Sequence, residues 1–376
     1  MTEQQSAYIV ASLARLRAGQ VQNLVARFGD LTSALAQSAN RLTEAGLTEQ
    51  QAETVVAPDE DAISATAEWL EADGHRLLVL GEDAYPELLA RIDDPPPFLY
   101  VNGDVDALHL PSLAIVGSRN PTKGGERNAF DFAEHLAGNG FVVVSGLAQG
   151  IDTAAHRGAV ASGGATVACL GHGIDRVYPA ANRELAHGIV AKGALVSEFP
   201  LGAPPDRRHF PQRNRLISGL SLGTLVVEAA KRSGSLITAR LAGEQGREVF
   251  AIPGSIHNAM SRGCHQLIRS GAKLVESADD IVAELGHWIS HLRQPEADAE
   301  TAAAEDLNDE QKDLLNIMGH DPVSIDSLVE GSGLTIDQLS SMLLILELEG
   351  RVEKLPGGQY ATLHRSNSSE RPSNTK

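Results

Sequence analysis

The sequence predicts an α/β protein built on a doubly wound parallel sheet, with a small helical unit on either side of it. Three observations predict this. Between Ser112 and Ser277, short apolar runs (LAIVG, FVVVSG, TVACLG, ALVSEF, TLVVEA, EVFAIPG and KLVES) alternate with helical stretches. Strands that are apolar throughout, rather than at every second residue, are buried on both faces, as in a parallel sheet covered by helices. Ahead of them, residues 1–70 carry apolar residues at spacings of three and four, and the end of the chain returns to that helical spacing.

In chain order, residues 1–74 read as a small helical domain with helices in AYIVASLARL, VQNLVARFG, LTSALAQSA and EQQAETVVA, and turns marked by Gly19, Gly29 and Gly46. It is of the SAM or helix-hairpin-helix kind. In the latter, the turn Ala45-Gly46-Leu47 would offer free backbone N–H groups to a phosphate. Residues 1–75 hold 4 basic residues against 11 acidic, which favours an accessory domain that touches no nucleic acid. A connector follows over 75–110, with strands at 76–80 and 98–101, a short helix around 86–91, and Pro95-Pro96-Pro97 stiffening the approach to the second strand. Together with the parallel strands it makes an extended Rossmann-like domain over 75–290. Residues 291–305 are a polar, Ala- and Glu-rich linker. Residues 306–362 give three helical segments and the hairpin-like RVEKLPGGQYATL, the order of a winged helix, and 363–376 form a tail rich in Ser and Asn that is expected to be disordered.

Composition narrows the function. With 376 residues, the chain is long enough for more than one domain. It has no apolar run near the roughly 18–20 residues of a membrane span, and its start lacks the order of a signal peptide, so a cytoplasmic location is expected. Two cysteines, Cys169 and Cys264, are too few and scattered for a disulfide framework or a metal site, and no metal is expected. The net charge of −18 argues against nucleic acid until it is divided: residues 111–285 hold 18 basic against 15 acidic, and the rest of the chain 13 against 34. Within the middle segment RRHFPQRNR sets Arg207, Arg208, Arg213 and Arg215 together without an acid, a local footprint for phosphates.

The candidate site gathers at strand ends, where open α/β sheets bind ligands. Gly117-Ser118-Arg119 closes the first parallel strand and precedes a helix at 124–138. Ser145-Gly146 closes the second and leads into LAQGIDTAAH, where Asp152 reads as the helix cap and His156 as its neighbour one turn on rather than as an acid/base pair. GHGIDRVYPAAN adds Gly171, Gly173 and Tyr178 as a lip. PPDRRHFPQRNRLISG reads as a loop that brings Arg207, Phe210, Arg213, Asn214 and Arg215 to the same edge, joined by Lys231, Arg232 and a helix start at Ser233 and Ser235. Phe210 among arginines suits a single strand, because bases stack on the ring while cations follow the backbone; a buried core Phe is the alternative. A G-x-G-x-x-G fingerprint is missing, so no dinucleotide cofactor is expected. There is no G-x-S-x-G elbow or H-E-x-x-H motif, and Glu198 and Glu228 stand without sequence partners, so no catalytic residue is assigned.

The ordered set GSR (117–119), SGLAQGID–AAH (145–156), G-x-G-x-D-x-x-YP-x-x-N (171–182), SEFP (197–200), FPQRNRLISGLS (210–221), VEAAKRSGSLITA (227–239), PGS (253–255) and RGCHQLIRSGAKLV (262–275) resembles the DprA/Smf family, strongly over about 75–285. The resemblance implies a homodimeric protein that binds and shields single-stranded DNA and helps RecA to load during natural transformation, with no cofactor and no catalysis. It implies a pocket drawing on Arg119, Arg207, Phe210, Arg213 and Arg215. Gln149 stands where many members have Arg, and Ala180-Ala181 where a basic residue is common, so those edges would carry less charge. Two other readings compete. A nucleotide-processing enzyme similar to the cytokinin-activating phosphoribohydrolases would need a P-G-G-x-G-T-x-x-E motif, whereas the junction here is SGSLITARLA. A transcription regulator would need a basic winged helix, whereas 306–361 hold 3 basic residues against 11 acidic.

Overall fold

The structure is a computed structural model that describes residues 1–292 continuously and, beyond them, parts of 314–362. It divides into two compact units, Met1–Pro295 and Glu296–Lys376. The regions 1–74 and 75–290 therefore belong to one body.

Six helices open the first unit: α1 (Glu3–Leu13), α2 (Ala18–Phe28), α3 (Leu31–Leu35), α4 (Ala39–Glu44), α5 (Glu49–Val56) and α6 (Glu60–Leu70). Their starts carry the expected chemistry, with Thr2 and Thr48 in reciprocal capping boxes and Asp30 and Asp59 accepting from first-turn N–H groups. The apolar stripes close a core of Ile9, Leu24, Leu42 and their neighbours, which continues into Phe98 of the sheet. The turn after α4 does not offer its amides to a ligand: Gly46 N–H donates to Thr43 O at 3.0 Å and Leu47 N–H to Leu42 O at 3.1 Å. Both groups close the end of their own helix, so the phosphate-binding variant of a helix-hairpin-helix is not built here.

The sheet has nine strands: β1 (His75–Val79), β2 (Phe98–Gly103), β3 (Ser112–Val116), β4 (Val142–Ser145), β5 (Thr166–Leu170), β6 (Ala194–Ser197), β7 (Gly223–Val226), β8 (Glu248–Ala251) and β9 (Lys273–Leu274), in the order β1-β2-β6-β5-β4-β3-β7-β8-β9. From β3 onward the strands are parallel, and β3 to β7 are buried residue by residue, as their continuous apolar runs require. The connector is part of this sheet: β1 and β2 pair antiparallel with each other, and β2 with β6, while α7 (Glu87–Ala90) lies between them in sequence. The parallel part carries α8 (Lys123–Gly138), α9 (Ile151–Ala161), α10 (Arg183–Val190), α11 (His209–Gly219), α12 (Ser235–Glu244), α13 (Arg262–Arg269) and α14 (Ala278–Leu292).

The chain starts at β3, winds outward through β4, β5 and β6, and returns to the other side of β3 with β7. Strand order reverses there, and the crevice beyond the carboxyl ends of β3 and β7 is where this topology receives ligands. The segment PPDRRHFPQRNRLISG, whose sequence predicts a loop, contains helix α11. Pro211 is its third residue, within the first turn, where a missing N–H costs no helical hydrogen bond.

In the second unit, described strands at Val323–Ser324, Val352–Leu355 and Gln359–Thr362 form a three-stranded sheet beside a helix at Ile325–Ser332. Leu343 and Leu346 are buried in its core with Leu314, Met318, Leu328, Leu339 and Val352. The linker from 293 to 305, Leu348 and the tail at 363–376 lie outside the described residues. Among the described residues no helix is long and apolar enough to cross a membrane.

Candidate nucleic-acid interface

A cleft of about 690 Å³ opens at the reversal point. Three strand ends and one helix build it: Gly117, Ser118 and Arg119 after β3, Ala148 and Asp152 after β4, Arg232 to Ser235 after β7, and Arg207, Phe210, Arg213 and Asn214 from α11 and the residues before it.

Backbone packing holds the Arg119 loop. Ser118 N–H donates to Glu228 O at 2.8 Å, and Ile151 N–H donates to Ser118 O at 3.1 Å. Gly150 has φ +83°, and a Cβ there would stand 2.4 Å from Ser118 O, so glycine is required by conformation and by space. Glu228 is also used: its carboxylate accepts from Thr122 N–H at 2.8 Å and from the Thr122 hydroxyl at 2.7 Å, and Thr122 caps α8. The Arg119 side chain itself is exposed.

Arg213 forms the floor. It is 3% exposed, and its guanidinium fills the space over Gly146 so closely that a Cβ on Gly146 would lie 1.6 Å from Nη1. No carboxylate comes within 4.0 Å of it among the described residues, and its Nε has no hydrogen-bond partner. Asp152 supplies the compensating field from farther off. Burial raises the Asp152 pKa, while Arg213 and the N–H groups of Ala148 and Gly146 pull it down. Asp152 does not cap its helix: Gly150 is the N-cap, and the Asp152 carboxylate reaches back to Gly146 N–H at 3.2 Å and Ala148 N–H at 3.4 Å. It therefore shapes the loop beneath Arg213.

The Phe210 ring stands between cations. Arg119 Cζ is 5.3 Å and Arg213 Cζ 5.9 Å from its centroid, and the exposed Tyr178 ring lies 6.2 Å away at 38°. Gly171 makes room for it, since a Cβ there would stand 3.0 Å from Phe210 Cδ1. Tyr178, predicted from sequence as a lip of the cleft, adds a second aromatic face. Ser233 and Ser235, 2.7 Å apart at their hydroxyls, stand at the start of α12 and bring its positive end to the cleft.

Four predicted residues fall elsewhere. Ser145 is buried, with its hydroxyl donating to Ile115 O at 2.7 Å. Gly146 lies beneath Arg213 rather than on the lining, and Lys231 is exposed outside the cleft, where Arg232 takes the lining position. Arg215 points to the opposite side of α11. It pairs with Glu198 at 2.5 Å and faces Asp94 at 3.8 Å. Residues i and i+2 of a helix do not share a face, so Arg213 and Arg215 separate once the segment is helical. Arg208 is held by Asp206 at 2.8 Å.

Asp152 and His156 form no acid/base pair. His156 is fully buried, and its Nδ1 lies 2.7 Å from Thr166 Oγ1. That hydroxyl donates to Val143 O at 2.6 Å, so Nδ1–H is the donor to it and Nε2 is left without a partner. Burial lowers the His156 pKa to about 3. An unfolded histidine titrates near 6.5, so unfolding takes up a proton below that pH; the contribution is intact above about 6.5 and is lost as pH falls toward 3. Stability should drop by about 1.4 kcal/mol per pH unit from this group between about pH 6 and 5, and denaturant melts of a His156→Asn variant should lack that slope. An identical slope in the variant would refute the assignment.

Residues 76–286 match the family model for DNA recombination-mediator protein A, and residues 298–358 match the DprA winged helix domain. The chain is 42% identical over 329 residues to Protein Smf of Escherichia coli, covering 86% of this chain and 87% of that one. It is 49% identical over 203 residues to the DNA processing protein DprA of Streptococcus pneumoniae, covering 54% and 72%. The crystal structure of DNA processing protein A from Streptococcus pneumoniae superposes with a TM-score of 0.65 at 38% identity, over 74% of this chain and 97% of that one. A structure of the Helicobacter pylori protein, described for its single-stranded DNA binding mode, does so with a TM-score of 0.51 at 30% identity, over 56% and 96%. With the family matched over more than half the chain and a relative matched along most of both sequences, the chain belongs to the DprA/Smf family.

Proposed function

We propose that this protein binds single-stranded DNA in the cleft beyond β3 and β7, as a DNA-processing protein without catalytic activity of its own. One observation carries the reading: an accessible aromatic ring stands between two arginines that have no carboxylate partner, at the ligand-binding edge of the sheet. Bases stack on such a ring whatever their identity, and guanidinium groups follow the phosphates. The relatives named for DNA processing and the Helicobacter pylori protein support it. Against an enzyme stands the fate of the strand-end carboxylates. Glu198 pairs with Arg215 and Glu228 caps α8 through Thr122, so both strand-end carboxylates are engaged in structural contacts. Through the family, the same reading extends to shielding incoming strands, assisting RecA in natural transformation, and acting in the cytoplasm as a homodimer.

Titration with labelled oligonucleotides across a salt series tests it. The protein should prefer single strands to duplex, and Arg119→Ala should weaken binding while lowering the slope of log K against log salt by about 0.7, the value for one phosphate of a single strand. An unchanged slope would remove Arg119 from the DNA contact.

A further inference from the structure

A second and larger cleft, of about 980 Å³, lies behind the first, between the amino-terminal helices and the triple-proline segment. Arg15, Arg17, Gln51 and Thr54 form one wall, and Pro95 to Phe98 the other. The two clefts share α11 as a partition: Phe210 and Arg213 face the first, Gln212 and Arg215 the second.

The charges in this cleft are unevenly spent. Its carboxylates, Glu198 and Asp94, both face Arg215. Arg15 and Arg17 are exposed and have no carboxylate within 4.0 Å among the described residues. They stand in a region with 11 acidic residues and only 4 basic ones, of which Arg27 pairs with Glu44 and Arg41 lies over Phe28. The two cations left over are thus both on the cleft. Arg15 also occupies a position just past α1 with φ +51°, where helices ordinarily place glycine. From there its guanidinium lies 4.9 Å from the centre of the Phe199 ring, donates to Gln212 Oε1 at 3.2 Å and approaches His209 Nε2 at 3.4 Å. It therefore touches the first turn of α11, one residue from Phe210 and two from Arg207, which are part of the first cleft.

We propose that a single strand longer than the first cleft can hold crosses the first turn of α11 and continues into this second cleft, where Arg15 and Arg17 bind its phosphates. The crossing spans one helix width, about 10–12 Å with side chains. The path also explains why an otherwise acidic domain keeps, at this one place, two arginines with no carboxylate in contact. The proposal rests on the reading of the first cleft as a single-stranded DNA site.

The test uses the full-length protein and oligothymidylates of about 6 and about 20 nucleotides, the first within and the second beyond the roughly 4–16 nucleotides of a single-strand site. Arg17→Ala is the informative variant, because the side chain is exposed and, among the described residues, forms no hydrogen bond or ion pair to α11. It should leave affinity for the short oligonucleotide within about two-fold, weaken the long one about three- to ten-fold at low salt, and lower the salt slope of the long one alone by about 0.7. Arg17→Lys, which keeps the charge, should restore that slope. Equal effects on both lengths, or no effect on the long one, would overturn the proposal. Arg119→Ala separates it from the underlying reading: loss of short-oligonucleotide binding there, with none of the expected changes in Arg17→Ala, sinks the second cleft and keeps the first. Retention of short-oligonucleotide binding in Arg119→Ala sinks the first.

Discussion

Arg215→Ala is expected to lower the stability of the folded protein by about 3–5 kcal/mol, the cost of removing one member of a buried ion pair, while leaving the salt slope for short single strands unchanged. Arg215 and Glu198 side chains are 13% and 8% exposed, and the Glu198 carboxylate also accepts from Gln212 at 3.1 Å. Burial raises the Glu198 pKa, with Arg215 the main influence opposing it. Without that guanidinium, the carboxylate must either stay charged in a poorly solvated site or take up a proton. Denaturant unfolding measures the loss. The double variant Arg215→Met with Glu198→Met should recover much of it, because the unpaired charge is then gone. A midpoint close to that of the unaltered protein, together with a flattened salt slope, would show that Arg215 contacts DNA after all. The contrast with Arg213, two residues earlier, is the informative part, since sequence alone treats the two alike.

Phe210→Ala is expected to weaken single-strand binding by about 1–3 kcal/mol, or roughly 5- to 150-fold, with little change in salt slope, because a stacking platform is removed and no cation is. The ring is packed on one side against Gly171 and flanked by Arg119, Arg213 and Tyr178, so Phe210→Tyr should retain most of the affinity. Fluorescence anisotropy at two salt concentrations distinguishes this from loss of a phosphate contact. If Phe210→Ala lowers the melting temperature but not the affinity, the ring is a packing residue and the bases lie elsewhere.

Much of the fold was legible because its signals are local. Each strand of the parallel sheet is a short apolar run ending in a turn residue, and the starts of α1, α3, α5 and α6 are marked by side chains that satisfy their first amides. The glycine edges of the site were legible for the same reason. A Cβ would meet the Ile151 side chain at 2.6 Å on Gly117, Ser118 O at 2.4 Å on Gly150 and the Phe210 ring at 3.0 Å on Gly171. Arg119 follows directly from its strand end, and Phe210 from its arginine neighbours.

Other features depend on where distant segments meet. Pro211 and the lack of a capping side chain disguised α11 as a loop, and only the helical period sends Arg213 to the floor of one cleft and Arg215 into another. Glu198 neutralises Arg215 from 17 residues away because the turn after β6 brings its carboxylate to α11. Asp152 has the residue type of a helix cap, yet its partners are upstream amides presented by the turn after β4. By itself the sequence determined which strands form the sheet, which loops edge it and which residue types gather there, since those follow from the hydrophobic pattern and turn chemistry of neighbouring residues. The tertiary structure decided which of four adjacent arginines remain free for phosphate, because a cation's availability depends on the carboxylates that folding brings beside it.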